Sequence, residues 1–114
     1  MRINVDTPII DMLTGKQGEF AGFAATIKAV IIYCGQMPAG QASAPEPPEE
    51  AAKAFDLAVR ASTARGGVMT LDLNEASFLK TRAYRMCFPL YAGALDKLLE
   101  AAADRESDPP AQAD

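Results

Sequence analysis

The sequence has no histidine, no tryptophan and only two cysteines in 114 residues. Each absence removes a class of chemistry. Without histidine the chain lacks the commonest general base and the commonest metal ligand. Cys34 and Cys87 cannot by themselves complete a four-ligand zinc site. Both sit in apolar runs and read as buried thiols that pack the core, not as a disulfide framework. The most apolar stretch, residues 20–34, is interrupted by Lys28 and is shorter than the roughly 18 residues that mark a membrane span. The N-terminus, Met1-Arg2-Ile3-Asn4-Val5-Asp6, lacks the apolar region of a signal peptide, which points to the cytoplasm. Basic residues are also short, 11 against 15 acids for a net charge of −4, a poor footprint for nucleic acid. No cofactor, metal or membrane is implied.

What is present is helical patterning. At 114 residues the chain is long enough for one domain with a small core. Residues 2–5 alternate polar and apolar and suit a short half-buried strand, with Ile9-Ile10 as an edge continuation and a turn at residues 14–18. The first helix is expected over residues 19–34. Phe20, Phe23, Ala24, Ile27, Val30, Ile31 and Cys34 follow one face, Gly35 is the stop, and Gly22 allows close approach of another helix. Residues 36–48 form a proline-rich loop carrying four of the eight prolines. Pro48, Glu49 and Glu50 open a second helix, whose apolar stripe has Phe55 as its large anchor; Gly66-Gly67 ends it. Residues 68–73 alternate and can pair with the N-terminal strand. Asp72 and Glu75 have the spacing of a capping box at the start of a third helix, with Asn74 as the rival cap. Pro89 ends that helix and begins a fourth, which carries Tyr91, Leu95, Leu98, Leu99 and Ala102. The fold class that follows is mainly α (α+β): about four helices with a small two-stranded β element. It comprises one globular unit over residues 1–103 and a disordered acidic tail over residues 104–114.

Chemistry-bearing residues are sparse. Lys80, Arg82 and Arg85 lie in a segment with no acid between Ala76 and Leu95. They could contact an anion, but a solvated helix face explains them more simply. Thr14-Gly15-Lys16 lacks the rest of a phosphate-binding loop and reads as a turn. Asp6 and Asp11 read as turn-capping aspartates, not metal ligands. No nucleophile, base and orienter set is visible, so the chain reads as a non-enzyme. The wide apolar stripes of the first and last helices point instead to a protein partner or self-association. Phe23, Ile27, Ile31, Tyr84, Tyr91 and Leu95 are the candidate contact residues.

Several segments together resemble a family. Ile3-Asn4-Val5-Asp6-Thr7-Pro8-Ile9-Ile10-Asp11 with its Gly-Lys turn, Leu71-Asp72-Leu73-Asn74-Glu75, Lys80, and Phe88-Pro89-Leu90-Tyr91-Ala92-Gly93-Ala94-Leu95 are similar to small proteins encoded in tailed bacteriophages and prophages. The resemblance spans residues 2–100; the proline-rich segment departs from the pattern by its length. The family brings no established activity and no functional residues. The resemblance implies a small phage-type protein acting in the host cytoplasm through protein–protein contacts, as a virion-assembly chaperone or accessory of head or tail. The alternatives are an inhibitor of a host defence complex (anti-CRISPR-like) and a small nucleic-acid-binding regulator.

Overall fold

The N-terminal strand β1 (Arg2–Asn4) alternates exposed, buried, exposed, and the next strand to pair with it arrives only after two helices. The computed structural model describes residues 1–37 and 46–107, with side chains described through residue 105. Glu19–Phe20 (β2) and Phe23–Ala24 (β3) form a tight hairpin. Helix α1 spans Ile27–Gln36, α2 Pro48–Ser62, α3 Leu73–Met86 and α4 Pro89–Ser107, with a single 3₁₀ turn at Arg65–Gly67 and strand β4 at Val68–Thr70. The fold is therefore mainly α, four helices with small antiparallel β elements.

Strands β1 and β4 pair with Ile3 opposite Met69, as their alternation predicts. The ladder extends at both ends. The Met1 ammonium and Leu71 N–H bond reciprocally to Leu71 and Met1 carbonyls, at 2.7 and 2.8 Å, and Val5 N–H reaches Gly67 O at 2.7 Å. Met1, Ile3, Val5, Met69 and Leu71 all enter the core. Gly67 is favoured here by its left-handed backbone, and the space beside it is taken by a side chain. Its φ is +76°, and a Cβ would meet the Asp6 carboxylate at 2.4 Å.

The first helix starts eight residues later than its apolar spacing predicts. Residues 7–26 form an arm instead, stitched by Ile9 N–H to Ala25 O, Gly18 N–H to Ile9 O and Asp11 N–H to Lys16 O. Two local signals overrule the periodicity. Ala21 and Gly22, at φ 52° and 85°, supply the consecutive left-handed residues of a tight hairpin turn. Thr26 then caps α1, its hydroxyl accepting from Ala29 N–H at 3.1 Å. Gly22 thus serves a turn and not helix packing.

Gly35 does not stop α1 either; it lies one residue before the helix end. A Cβ there would sit 2.4 Å from Ala58 Cβ and 2.5 Å from Ala54 O, so the missing side chain lets α1 and α2 touch backbone to backbone. That contact turns the alanine face of α2 inward. Ala54, Leu57, Ala58 and Ala61 are buried, whereas Phe55, the anchor expected from sequence, is more than half exposed. Against the other sides of α1 lie Ala76, Leu79 and Ala83 of α3 and Ala92, Leu95, Leu99 and Ala102 of α4 in one continuous core.

The capping box at α3 is formed as expected. Asp72 accepts from Glu75 N–H at 2.7 Å and Glu75 accepts from Asp72 N–H at 3.0 Å. Helix α4 continues through Ser107, past the expected end of the globular unit at residue 103. The greater part of the proline-rich loop, residues 38–45, and the tail from residue 108 lie outside the described residues.

Candidate functional site

An open groove of about 740 Å³ lies between residues 7–12 of the arm and one face of α4. Pro8, Ile9, Ile10 and Met12 form one wall; Leu90, Ala94, Leu98 and Ala101 form the other. The arm wall is held in place by the bonds that tie Ile9 to Ala25 and Gly18. At its tip the Asp11 carboxylate accepts Leu13 N–H at 2.8 Å, and Gly15 at φ 71° turns the chain back. That tip presents Met12 at 86% and Leu13 at 97% exposure, with Ile10 at 46% behind them. Three large exposed apolar side chains within four residues of one hydrogen-bonded turn are an unusual surface.

A polar cluster forms part of the groove lining. Tyr84 O–H donates to Asp96 Oδ2 at 2.8 Å, and Lys80 Nζ lies 3.6 Å from Asp96 Oδ1, which has no hydrogen bond of its own. The Asp96 carboxylate raises the Tyr84 phenol above its ordinary pKa, so the hydroxyl stays protonated and donating. Lys97 and Glu100 complete a charged rim. An apolar trough with a polar rim is the anatomy of a protein-docking surface.

A second apolar area surrounds the β2–β3 hairpin. Phe20 packs edge-on against Tyr33 and Tyr91, with ring centroids 5.2 and 4.7 Å apart, and Tyr91 O–H donates to Glu19 O. Beside this aromatic cluster lies a cleft of about 380 Å³ lined by Met86, Cys87 and Phe88. On its other flank a hollow of about 340 Å³ runs past Phe23, Ala29 and Ile32.

The basic helix segment resolves into three different environments. Arg82 is buried. Its Nε donates to Cys34 O at 2.6 Å, and its guanidinium pairs with Glu46 through both terminal nitrogens. It thereby places a cation on the carbonyl end of α1, where the helix dipole favours one, and anchors the chain just before α2. Glu46 in turn keeps the guanidinium charged, raising its pKa. Lys80 is turned toward Asp96, and Arg85 stands exposed. The three residues do not converge on one surface.

The six candidate contact residues divide in the same way. Ile27, Ile31 and Leu95 are fully buried in the chain's own core. Phe23 is 74% exposed, Tyr84 lines the long groove and Tyr91 lines the Cys87 cleft. The exposed arm tip, Met12 and Leu13, carried no signal by periodicity, since an apolar pair beside a Gly-Lys turn looks the same whether it folds in or out. The Asp11 carboxylate two residues before Leu13 is the signal that could have located the turn.

Among the described residues no group of three or more Cys, Asp or Glu side chains is arranged to hold a metal ion, and no helix is long and apolar enough to cross a membrane. The chain matches no protein-family model, no curated protein and no solved structure.

Proposed function

We propose that this chain is a non-enzymatic interaction protein whose arm-and-α4 groove receives an apolar segment of another protein chain. The observation that carries the reading is the exposed Ile10, Met12 and Leu13 tip set beside a trough lined by Leu90, Ala94, Leu98 and Ala101. Leaving that surface in water is unfavourable by about 25 cal/mol for each Å² of apolar area that a partner would cover. The turn is held by the Asp11 bond to Leu13 N–H and the Gly15 N–H bond to Asp11 O, which reduces the chain entropy that docking would cost.

The resemblance of the sequence to small tailed-phage proteins is what favours virion assembly, as chaperone or accessory, as the setting of that contact. A nucleic-acid role has less to stand on, because Arg82 is committed to Glu46 and to the end of α1.

The test is a photo-crosslinking amino acid placed at Met12 in the full chain, read in cells that produce the protein from its own genome. The expected outcome is one discrete adduct, a second copy of this chain or one defined protein. Leu13→Asp should abolish it without changing the melting curve, since Leu13 makes no core contact. A diffuse smear, or an adduct indifferent to Leu13→Asp in a folded protein, would refute the reading. Light scattering across a concentration series then distinguishes self-association from a foreign partner.

A further inference from the structure

The cleft of about 380 Å³ beside the β2–β3 hairpin shares no lining residue with the arm groove, and its walls differ in kind. Four of the chain's eight aromatic residues, Phe20, Tyr33, Phe88 and Tyr91, line it. Glu19 is the one charged side chain in that lining and lies on the exposed side of β2. Helix α3 ends there as well, with Met86 as its last residue and Cys87 as its cap. We propose that this cleft is a binding site for an alkylated ammonium group, held by the ring faces, the Glu19 carboxylate and the carbonyl end of α3.

Each of these three features favours a cation. An aromatic face carries the negative part of the ring quadrupole and attracts a cation within about 6 Å of its centroid. Tyr33 and Tyr91 stand at 82° and 69° to Phe20, so the cleft is bordered by rings that face in more than one direction. The Tyr91 hydroxyl donates to Glu19 O, which ties α4 to the strand carrying the carboxylate. The C-terminus of a helix carries about half a negative charge, because its last carbonyls lack helical partners. At the end of α3 the Arg85 carbonyl is left so by Pro89, which has no N–H to offer it. Among the described residues no lysine or arginine lines the cleft to offset this charge. Of the bases on adjoining elements, Lys28 lines the hollow on the other flank of the hairpin, 3.9 Å from Asp6 Oδ1, and Arg85 stands exposed outside the lining.

The walls also select among cations. A bare ammonium is strongly hydrated and needs several acceptors in exchange for its water. The side chains here offer few, since Ala21, Met86, Cys87 and the rings make up most of the lining. An alkylated ammonium keeps the charge, presents methyl groups in place of N–H, and gains by burying them against apolar walls. Phe88, 78% exposed, is the ring with the most surface left to cover it.

The experiment titrates the folded full-length chain with choline and, separately, with a peptide carrying trimethyllysine, following the Met86 methyl and the Phe88 and Tyr91 ring resonances by NMR. Dimethylbutanol, in which carbon replaces the charged nitrogen of choline, is the uncharged control. Saturable shifts confined to the cleft are expected, with choline bound at least about fivefold more tightly than dimethylbutanol. Phe88→Leu keeps an apolar side chain and removes a ring; Glu19→Gln removes the charge. Each should weaken binding of the charged probes by about three- to fivefold, and Glu19→Gln should leave dimethylbutanol unaffected. Both positions are exposed, so both variants should keep the wild-type melting curve. Binding of either charged probe supports the site, and the tighter of the two tells a modified protein from a free metabolite as its source. Equal affinity for choline and its uncharged control, binding indifferent to both substitutions, or no saturation by either charged probe in the millimolar range would each overturn the proposal.

Discussion

Replacing Gly35 by alanine should destabilise the protein, although alanine is the better helix former. The new Cβ would lie 2.4 Å from Ala58 Cβ and 2.5 Å from Ala54 O. Non-bonded carbons rest about 3.5–4.0 Å apart, so α1 and α2 must part by about 1 Å at this crossing. Neither neighbour can swing aside, one being a methyl fixed to the backbone and the other a main-chain carbonyl. Forcing an extra methyl into a packed contact costs about 1–3 kcal/mol. Alanine recovers about 1 kcal/mol of helix propensity over glycine. The overlap involves backbone, which puts the steric term near its upper end and the net loss at about 1–2 kcal/mol. Urea titration followed by circular dichroism reads that loss directly, and the melting temperature should fall by about 5–10 °C. Adding Ala58→Gly should return part of the loss, since it removes one of the two clashes and leaves the Ala54 carbonyl. A midpoint equal to or above wild type for the single alanine variant would refute the backbone contact between these helices.

Other outcomes follow from the charged anchors. Arg82→Met removes the buried guanidinium that pairs with Glu46 and bonds Cys34 O and should lower stability by about 3–5 kcal/mol in urea titrations, whereas adding Glu46→Gln should bring the loss well below the sum of the two single changes. The Glu75 carboxyl is held below its ordinary pKa by its hydrogen bond from Arg60, with a smaller contribution from Asp72 N–H. A folded pKa below the unfolded value, about 4.3, means this stabilisation is complete above that value and lost as pH falls through the folded one. Glu75→Gln should therefore show a smaller drop in urea midpoint than wild type between neutral pH and about pH 3, and parallel profiles would exclude this pairing as a source of acid sensitivity. Asp72→Ala removes the side-chain half of the capping box and should lower stability by about 1 kcal/mol, with helicity lost first at the start of α3, read by amide hydrogen exchange.

Local signals were most legible where one residue type has one physical use. Pro48 and Pro89 open helices because proline lacks the N–H that a first helical turn leaves unbonded anyway, and both do so here. Asp72 and Glu75 cap α3 because their spacing lets each bond the other's backbone. Apolar spacing misled at residues 19–26, where Phe20 and Phe23 fit a helical face that the Ala21-Gly22 turn and the Thr26 cap override. Periodicity counts faces; it does not see where the backbone reverses. The candidate contact residues divided for a related reason. Ile27, Ile31 and Leu95 carry the same signal as any apolar surface residue, and only packing assigns them to the interior.

The sequence by itself determined the helical class, the strand alternation at both ends of the β1–β4 pair and three helix starts, because these depend on neighbours within a turn or two. Tertiary structure decided everything that joins distant positions. It set Gly35 against Ala54 and Ala58, drew Arg82 inward to Glu46 and the end of α1, and left Met12 and Leu13 in solvent. Those outcomes depend on how close two helices can approach and which side chain fills the space between them, and no local pattern in the chain encodes that distance.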